Sequence, residues 1–196
     1  MKTQVIEWPE KEPSMFRLIF TLTIAGLLSG LAIVSIYQVT LPTITAYQAK
    51  ILQEAIFKVL PTATKIEKLQ DNEKTIYAGY DNKGKLIGYA IPAEGAGYQD
   101  TIRLIYGYKP KTHLIIGMEI LDSRETPGLG DRIYKDADFR ANFKSLSVKP
   151  KIFIVKHGNK HAANQVDAIS GATVSSKAVV RILNNANDKC QLCKKR

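Results

Sequence analysis

The sequence predicts an α+β protein in which a single N-terminal transmembrane helix precedes a domain with a mixed or antiparallel sheet. Three observations predict this class. A long apolar run without charge lies near the N-terminus, short β-rich runs divided by turn residues follow it, and helical patterns flank the β-rich part. Strands that come in a run with helices at their flanks are typical of α+β domains rather than of parallel βαβ arrays.

The first element is the apolar run at residues 18–37, LIFTLTIAGLLSGLAIVSIY. As a helix it would cover about 30 Å, the hydrocarbon thickness of a bilayer. Buried core helices seldom run this long without charge, and a cleaved signal peptide has a shorter apolar region that ends at small residues. The exit here, Ser35-Ile36-Tyr37-Gln38, is a poor cleavage site. We therefore expect a retained transmembrane helix at 18–37.

The basic residues beside the span predict its orientation. Lys2, Lys11 and Arg17 precede it, and no Lys or Arg follows it before Lys50. Basic residues near a span stay on the cytoplasmic side. We expect a cytoplasmic segment at 1–17 and the large C-terminal part on the periplasmic or extracytoplasmic side of a bacterial inner membrane.

Within the span, Gly26 and Gly30 form a GxxxG pattern. Such a pattern permits close packing against other membrane helices. Glycine is also common in membrane helices, so a chance occurrence is equally consistent with the sequence.

Residues 38–61 are predicted to form a juxtamembrane helix or linker. Leu41-Pro42 breaks the apolar run, because proline lacks a backbone donor and clashes with the preceding turn. The stretch from Ile44 to Leu60 has helical spacing of apolar residues, and Pro61 ends it.

The folded domain is predicted at 62–187. Asp81-Asn82-Lys83-Gly84 separates two β-rich runs and indicates a hairpin. The last strand is followed by a final helix over Val174 to Asn184. The predicted strands are Lys74 to Tyr80, Lys85 to Pro92, Thr101 to Tyr108, Thr112 to Leu121 and Lys151 to Lys156.

Composition excludes several classes of protein. Hydrophobic residues make up 45% and charged residues 23%, so the chain is neither disordered nor a multi-span membrane protein. The net charge of +10 belongs mostly to the exported domain. The sequence has no basic tract interleaved with aromatic residues, so we expect no nucleic-acid partner.

Small and hydroxyl residues cluster directly before the final helix, at residues 167–176, DAISGATVSS. One interpretation is an ordinary helix cap, in which Ser170 or Thr173 caps the first turn. The other is a phosphate site, since free amide groups at a helix N-terminus attract anions and Gly171 permits close approach. The residues alone leave both open.

The cluster contains Asp167, Ser170, Gly171, Ala172 and Thr173 in the pattern DxxSGAT. This pattern resembles the site at which the flavin transferase of bacterial respiratory flavoproteins attaches FMN to threonine. Two further segments, 95–98 (GAGY) and 125–131 (ETPGLGD), together with the span and the length, resemble the G subunit of the Rnf (Rsx) electron-transport complex. The C subunit of the sodium-pumping NADH:quinone reductase is a related family with the same domain.

The resemblance implies a membrane-anchored electron carrier with FMN bound covalently, as a phosphoester of Thr173. It implies an Rnf-type complex that couples ferredoxin and NAD redox chemistry to Na⁺ or H⁺ transport, with other membrane subunits, iron–sulfur subunits, a flavin transferase and lipid as partners. The chain would not be catalytic alone. The alternative is an anchored phosphate- or polyanion-binding or assembly subunit without a redox role.

The same resemblance indicates the residues around the cofactor. Thr173 carries the flavin, and Asp167 serves recognition by the transferase or caps the helix. The turn from Thr126 to Gly130 is expected near the ring and phosphate, although a plain turn that needs its glycines is the alternative. The expected cofactor contacts are Ser170, Gly171, Ala172, Val174, Ser176, Glu125, Thr126, Gly128 and Leu129.

Cys190 and Cys193 form a CxxC pattern in the basic C-terminal tail, 188–196. The pattern is open to a redox pair, half of a shared metal site or a disulfide. Its place in a basic end indicates a flexible segment, for which we favour an incidental or disulfide role. The three histidines lack ligand spacing, and we expect no metal.

Overall fold

The computed structural model of the protein describes residues 14–71 and 74–194, and it divides into two compact units after Gln48. The first unit holds the N-terminal part of one long helix. The second holds the end of that helix and every strand among the described residues. Lys2 and Lys11, on which part of the predicted orientation depends, lie outside the described residues.

Helix α1 runs without interruption over Met15–Val59. Its most apolar window has a mean hydropathy of 2.2, so by length and composition it can cross a membrane. The break expected at Pro42 is wrong, because the helix continues through that residue. The Thr45 hydroxyl donates to the Pro42 carbonyl at 2.9 Å. The helix ends before Pro61, as predicted.

Six strands form one antiparallel sheet, and their order across the sheet is their order in the chain. The predicted hairpin at Asp81 is confirmed. The Asp81 carboxylate accepts from the N–H groups of Lys83 and Lys85, both at 2.8 Å, and Gly84 takes a φ of +73°. The strands are β1 (Lys65–Asp71), β2 (Lys74–Tyr80), β3 (Leu86–Ala96), β4 (Thr101–Lys109), β5 (Leu114–Ser123) and β6 (Leu146–Ser147).

The remaining elements follow β5 and surround its end. The strand predicted near Lys151 and the final helix are both present, and the helix is longer at both ends than predicted. Two short strands, β7 and β8, pair in parallel. The elements are α2 (Arg132–Lys135), α3 (Ala137–Ala141), β7 (Phe153–Val155), β8 (Gln165–Asp167), α4 (Thr173–Lys189) and α5 (Gln191–Lys194).

The large sheet carries a helix on each face. Neighbouring residues of a strand point to opposite faces, and β4 shows this directly. Leu104 packs in the same core cluster as Leu183 of α4, whereas Ile105 packs with Val59 at the end of α1. A Cβ on Gly107 would collide with the Val59 carbonyl oxygen, so this glycine lets α1 approach the sheet.

The described part of the C-terminal tail, residues 188–194, is held in the core, which corrects the expectation of a flexible end; Lys195 and Arg196 lie outside the described residues. Cys190 and Cys193 form a disulfide and are only 4% and 6% exposed. The Asp71 carboxylate accepts from the Gln191 N–H at 3.0 Å, and the Tyr108 hydroxyl donates to the Cys193 carbonyl at 3.4 Å. These long-range contacts hold the segment against the sheet in spite of its basic composition.

Candidate functional site

The N-terminus of α4 has no side-chain cap. The N-cap residue is Ala172, with φ −127° and ψ 32°, and no side chain accepts from the first turn. Gly171 precedes it with a φ of +82°, which L side chains rarely adopt. The interpretation in which Ser170 or Thr173 caps this helix therefore does not hold. The first-turn amide groups are left available to an anion.

Thr173 opens α4 and its side chain is exposed. It faces a cavity of about 530 Å³ between the end of β7 and the first turns of α4. This volume lies within the range of about 300–1,000 Å³ that is usual for small-molecule sites. Lys156 and Lys177 supply positive charge to the cavity wall, and His157 adds an imidazole beside Ser170.

The two serines of the first turn direct their hydroxyl protons into the protein. Ser176 is fully buried, and its hydroxyl donates to the Ala172 carbonyl at 2.9 Å and accepts from the Ile169 N–H at 3.2 Å. The Ser175 hydroxyl donates to the Glu125 carboxylate in a short hydrogen bond. For a phosphate at this end, the cavity wall offers Lys156, Lys177, His157 and Ser170 in addition to backbone amides.

The ETPGLGD loop, residues 125–131, packs against this first turn. Its backbone closes through the N–H groups of Leu129 and Asp131, which donate to the Thr126 carbonyl at 3.2 and 3.3 Å. Gly128 takes a φ of +79°. Asp131 is buried and pairs with Lys135 at 2.5 Å; this hydrogen bond is the main reason why its pKa is lowered.

Glu125 joins the three segments that the sequence singled out. It is 5% exposed. Its Oε1 accepts from the N–H groups of Tyr98 and Gln99 at 2.8 and 3.0 Å, in the turn after β3. Its Oε2 accepts from Ser175 in α4. One carboxylate thus holds the GAGY turn, the ETPGLGD loop and the helix that follows DxxSGAT together.

Two glycines make room for this carboxylate. A Cβ on Gly130 would lie 2.6 Å from Glu125 Oε2 and 2.9 Å from Ser175 Oγ. A Cβ on Gly97 would collide with Glu125 Oε1 and lie 2.6 Å from the Asp100 carbonyl oxygen. These distances are shorter than real Cβ contacts, so a larger residue at either position displaces the loop or the turn.

The surroundings of Glu125 favour its ionised form. Burial by itself raises the pKa of a carboxyl group, but the hydrogen bonds from Ser175, Gln99, Tyr98 and Asp100 outweigh burial and lower the pKa of Glu125. The carboxylate is therefore an anion at neutral pH.

The other residues singled out by the sequence range from exposed to half-buried. Val174 and Leu129 are 55% and 54% exposed. The Thr126 hydroxyl donates to the Gln99 side-chain carbonyl at 2.8 Å. Asp167 ends β8, and its N–H donates to the Asn142 side chain at 3.3 Å.

Sequence reasoning missed several residues that the fold brings to this site. Lys156 and His157 follow β7, and Lys177 lies one turn into α4. Arg132 reaches from α2 to donate to the Ser170 carbonyl at 2.8 Å. Lys177 could have been found from its spacing of one helical turn after Thr173. Lys156, His157 and Arg132 are far from Thr173 in the chain, and no motif around them indicated that they belong to this site.

The region that carries this geometry also matches a known protein family. The model of the FMN-binding domain matches residues 97–188, which begin at the GAGY turn and end in α4. The G subunit of the proton-translocating ferredoxin:NAD⁺ oxidoreductase complex of Clostridium ljungdahlii is 32% identical over 173 residues, 88% of this chain and 90% of that protein. The chain belongs to the family of Rnf G subunits. The predicted resemblance is thereby confirmed, and the domain is an FMN-binding domain.

Other G subunits match much of the same chain. That of the ion-translocating oxidoreductase complex of Methanosarcina acetivorans is 31% identical over 88% of this chain and 92% of its own length. That of the Na⁺-translocating ferredoxin:NAD⁺ oxidoreductase complex of Acetobacterium woodii is 29% identical over 76% of this chain and 75% of its own. The name of the Clostridium ljungdahlii complex specifies protons, and that of the Acetobacterium woodii complex specifies sodium.

Solved structures show the same fold for this Rnf G subunit. NqrC of Shewanella oneidensis superposes with a TM-score of 0.53 at 25% identity, over 65% of this chain and 67% of its own. The corresponding protein of the Na⁺-translocating NADH-quinone reductase of Parabacteroides distasonis gives 0.52 at 27% identity, over 59% and 60%. The α+β prediction with an N-terminal apolar helix is confirmed.

Proposed function

We propose that this protein is a membrane-anchored electron-transfer subunit that carries FMN as a phosphoester of Thr173. It serves in an Rnf-type complex that couples ferredoxin and NAD redox chemistry to the transport of Na⁺ or H⁺. It is a carrier and not a catalyst by itself. Its partners are the other membrane and iron–sulfur subunits of that complex, the flavin transferase that loads it, and the lipid around α1.

The observation that carries the proposal is the exposed Thr173 hydroxyl at a helix N-terminus without a side-chain cap. Helices usually satisfy their first amide groups with a capping side chain. A phosphate esterified to this threonine would meet those amides and the positive end of the helix dipole. The DxxSGAT pattern around Thr173 supports the same assignment.

The residues present fit such a group. Lys156 and Lys177 would neutralise the phosphate, and the cavity of about 530 Å³ is large enough for a small-molecule cofactor. Val174 and Leu129 offer exposed apolar surface to an aromatic ring. Bound FMN would supply redox chemistry in one- and two-electron steps, and the protein would bind and orient it.

Two features support an extracytoplasmic domain. Arg17 precedes the apolar part of α1, and Lys50 is the first basic residue after it. The Cys190–Cys193 disulfide belongs to the folded domain, and disulfides persist in oxidising compartments. The proposed location is the bacterial inner membrane, with a cytoplasmic N-terminus.

The direct test is the intact mass of the protein after expression with an active flavin transferase, combined with in-gel flavin fluorescence after denaturation. We expect an added mass equal to FMN less one water on the peptide that contains Thr173. Thr173→Val should lack this mass and the fluorescence, and Thr112→Val, in the exposed turn before β5, should keep both. An unmodified wild-type chain would instead favour the binding or assembly function.

The orientation has its own test. Lys83→Cys places a thiol at the exposed tip of the β2–β3 hairpin, and the two native cysteines are already paired. A membrane-impermeant maleimide should label this variant in intact spheroplasts. Labelling only after lysis would place the domain in the cytoplasm and contradict the proposed topology.

A further inference from the structure

Glu125 is a buried anion that bridges two segments far apart in the chain. Its two oxygens are divided between them, with Oε1 bound to the turn after β3 and Oε2 bound to the Ser175 hydroxyl in the first turn of α4. Ser175 lies two residues after Thr173. The bond to Glu125 therefore acts on the same helical turn that presents the Thr173 hydroxyl to the cavity.

Among the hydrogen bonds of the described residues, the bond to Glu125 is the one that ties a side chain of the first turn of α4 to a distant segment. This turn has no capping side chain, and the bonds of Ser176 stay within the adjacent loop, at Ala172 and Ile169. Further along α4, Val179 and Leu183 are fully buried in the core and hold the rest of the helix. Loss of the Glu125 bond would therefore loosen the first turn and leave the remainder of α4 in place.

The charge of Glu125 also sets the direction of its hydrogen bonds. An ionised carboxylate only accepts, so the Ser175 hydroxyl must donate inward. A hydrogen bond to a charged group is stronger than one between neutral groups. Room for the arrangement is provided by Gly97 and Gly130, where a side chain would collide with the carboxylate.

We propose that Glu125 is a positioning residue for the flavin-accepting threonine: its carboxylate orients the first turn of α4 so that the Thr173 hydroxyl faces the cavity. Its buried negative charge also disfavours the addition of electrons to a flavin held at that turn. Both oxygens of Glu125 are engaged by protein donors, so we assign it a positioning role in place of the direct cofactor contact expected from the sequence. This inference rests on the proposed attachment of FMN to Thr173.

The test uses the full-length chain expressed with the flavin transferase, and it follows loading over time by intact mass. Glu125→Gln keeps the shape of the side chain and removes its charge, and Ser175→Ala removes the hydroxyl from the other side. Both variants should load about tenfold more slowly than wild type, the factor expected from the loss of one charge-assisted hydrogen bond. Glu94→Gln is the control, because Glu94 is an exposed carboxylate in β3.

Two readouts separate positioning from a general loss of stability. Hydrogen exchange should rise in the first turn of α4 in both variants and stay unchanged around Leu183. The flavin midpoint potential of loaded Glu125→Gln should become more positive than in wild type and in Glu94→Gln. If Glu125→Gln does not fold, loading and hydrogen exchange of Ser175→Ala decide alone.

The outcomes distinguish this inference from the proposed function. Wild-type protein that carries no flavin on Thr173 would overturn both. Wild-type protein that loads normally, with Glu125→Gln and Ser175→Ala loading at the same rate as wild type, would overturn the role of Glu125 and leave the function intact.

Discussion

At its N-terminal end, helix α4 begins with an exposed threonine and no capping side chain, whereas its C-terminal end is closed by a buried disulfide. The N-cap is Ala172, and Thr173 faces a cavity. At the other end the Cys190 N–H donates to the Ala186 carbonyl at 3.0 Å, and Cys190 is bonded to Cys193. The N-terminal end lacks a side-chain cap, and the C-terminal end is fastened by a disulfide between two buried cysteines.

This difference shows how the domain separates stability from binding. A helix end that keeps free amides for an anion forgoes the stabilisation of a cap, usually about 1 kcal/mol. The core contacts of α4 and its C-terminal end supply that stability instead. Departures from local rules of helix formation are expected at functional sites, and here the departure coincides with Thr173.

The largest effect on stability is expected from a side chain added beside the N-terminal end of α4. Gly130→Ala would place a Cβ 2.6 Å from Glu125 Oε2 and 2.7 Å from Glu125 Cβ. We expect the free energy of unfolding to fall by about 2–3 kcal/mol, as in other overpacked sites. Gly158→Ala is the control; its φ of +81° is strained but nothing lies near its Cβ, and it should cost about 1 kcal/mol. Denaturant unfolding measures both, and equal costs would contradict the crowding at Glu125.

The next largest effect on stability is expected from removal of the disulfide at the C-terminal end of α4. Replacing both cysteines, as Cys190→Ala with Cys193→Ala, should lower the free energy of unfolding by about 2 kcal/mol, the low end of the range for disulfides. Covalent loading of flavin should stay at the wild-type level, because the disulfide lies at the far end of α4 from Thr173. A parallel fall in loading would show that the two ends are coupled.

A smaller effect is expected beside the closed end. Tyr106 is fully buried, and its hydroxyl donates to the Asn187 side chain at 3.0 Å, near the end of α4. Burial raises the pKa of Tyr106 far above its usual value, so it stays neutral. Tyr106→Phe should cost about 1 kcal/mol in unfolding free energy, because the Asn187 side-chain carbonyl loses its partner. The exposed Tyr134→Phe should change stability by less than about 0.5 kcal/mol.

The smallest effect is a dependence on pH at the open end. The pKa of Glu125 is lower in the folded protein than in the unfolded chain. Its contribution to stability is therefore present above the unfolded pKa, about 4.3, and is lost as pH falls through the folded pKa. The stability advantage of wild type over Glu125→Gln should narrow on acidification through this window. An advantage that is constant from pH 7 to the acid range would contradict an ionised Glu125.

Local patterns predicted most of the elements and failed where distant contacts decide. The β2–β3 hairpin was predictable because its turn depends on residues within it. Asp81 accepts a hydrogen bond from the Lys83 N–H, and Gly84 adopts the positive φ that the turn requires. The C-terminal segment was expected to be flexible from its basic residues. This segment is ordered because the Asp71 carboxylate, in β1, accepts from the Gln191 N–H. No pattern in the residues near Gln191 predicts that contact.

The sequence by itself determined the apolar helix, the strands β2 to β5 and β7, the final helix and the motifs that mark this protein as an Rnf G subunit. Each depends on residues close together in the chain, whose hydrophobic period, turn chemistry or motif spacing carries the information. Only the tertiary structure decided that the GAGY turn and the first turn of α4 meet at Glu125. Tyr98 follows β3 and Ser175 lies in α4, and both contact this carboxylate only when the helix packs on the sheet. Such contacts depend on the geometry of the whole fold, which no local pattern encodes.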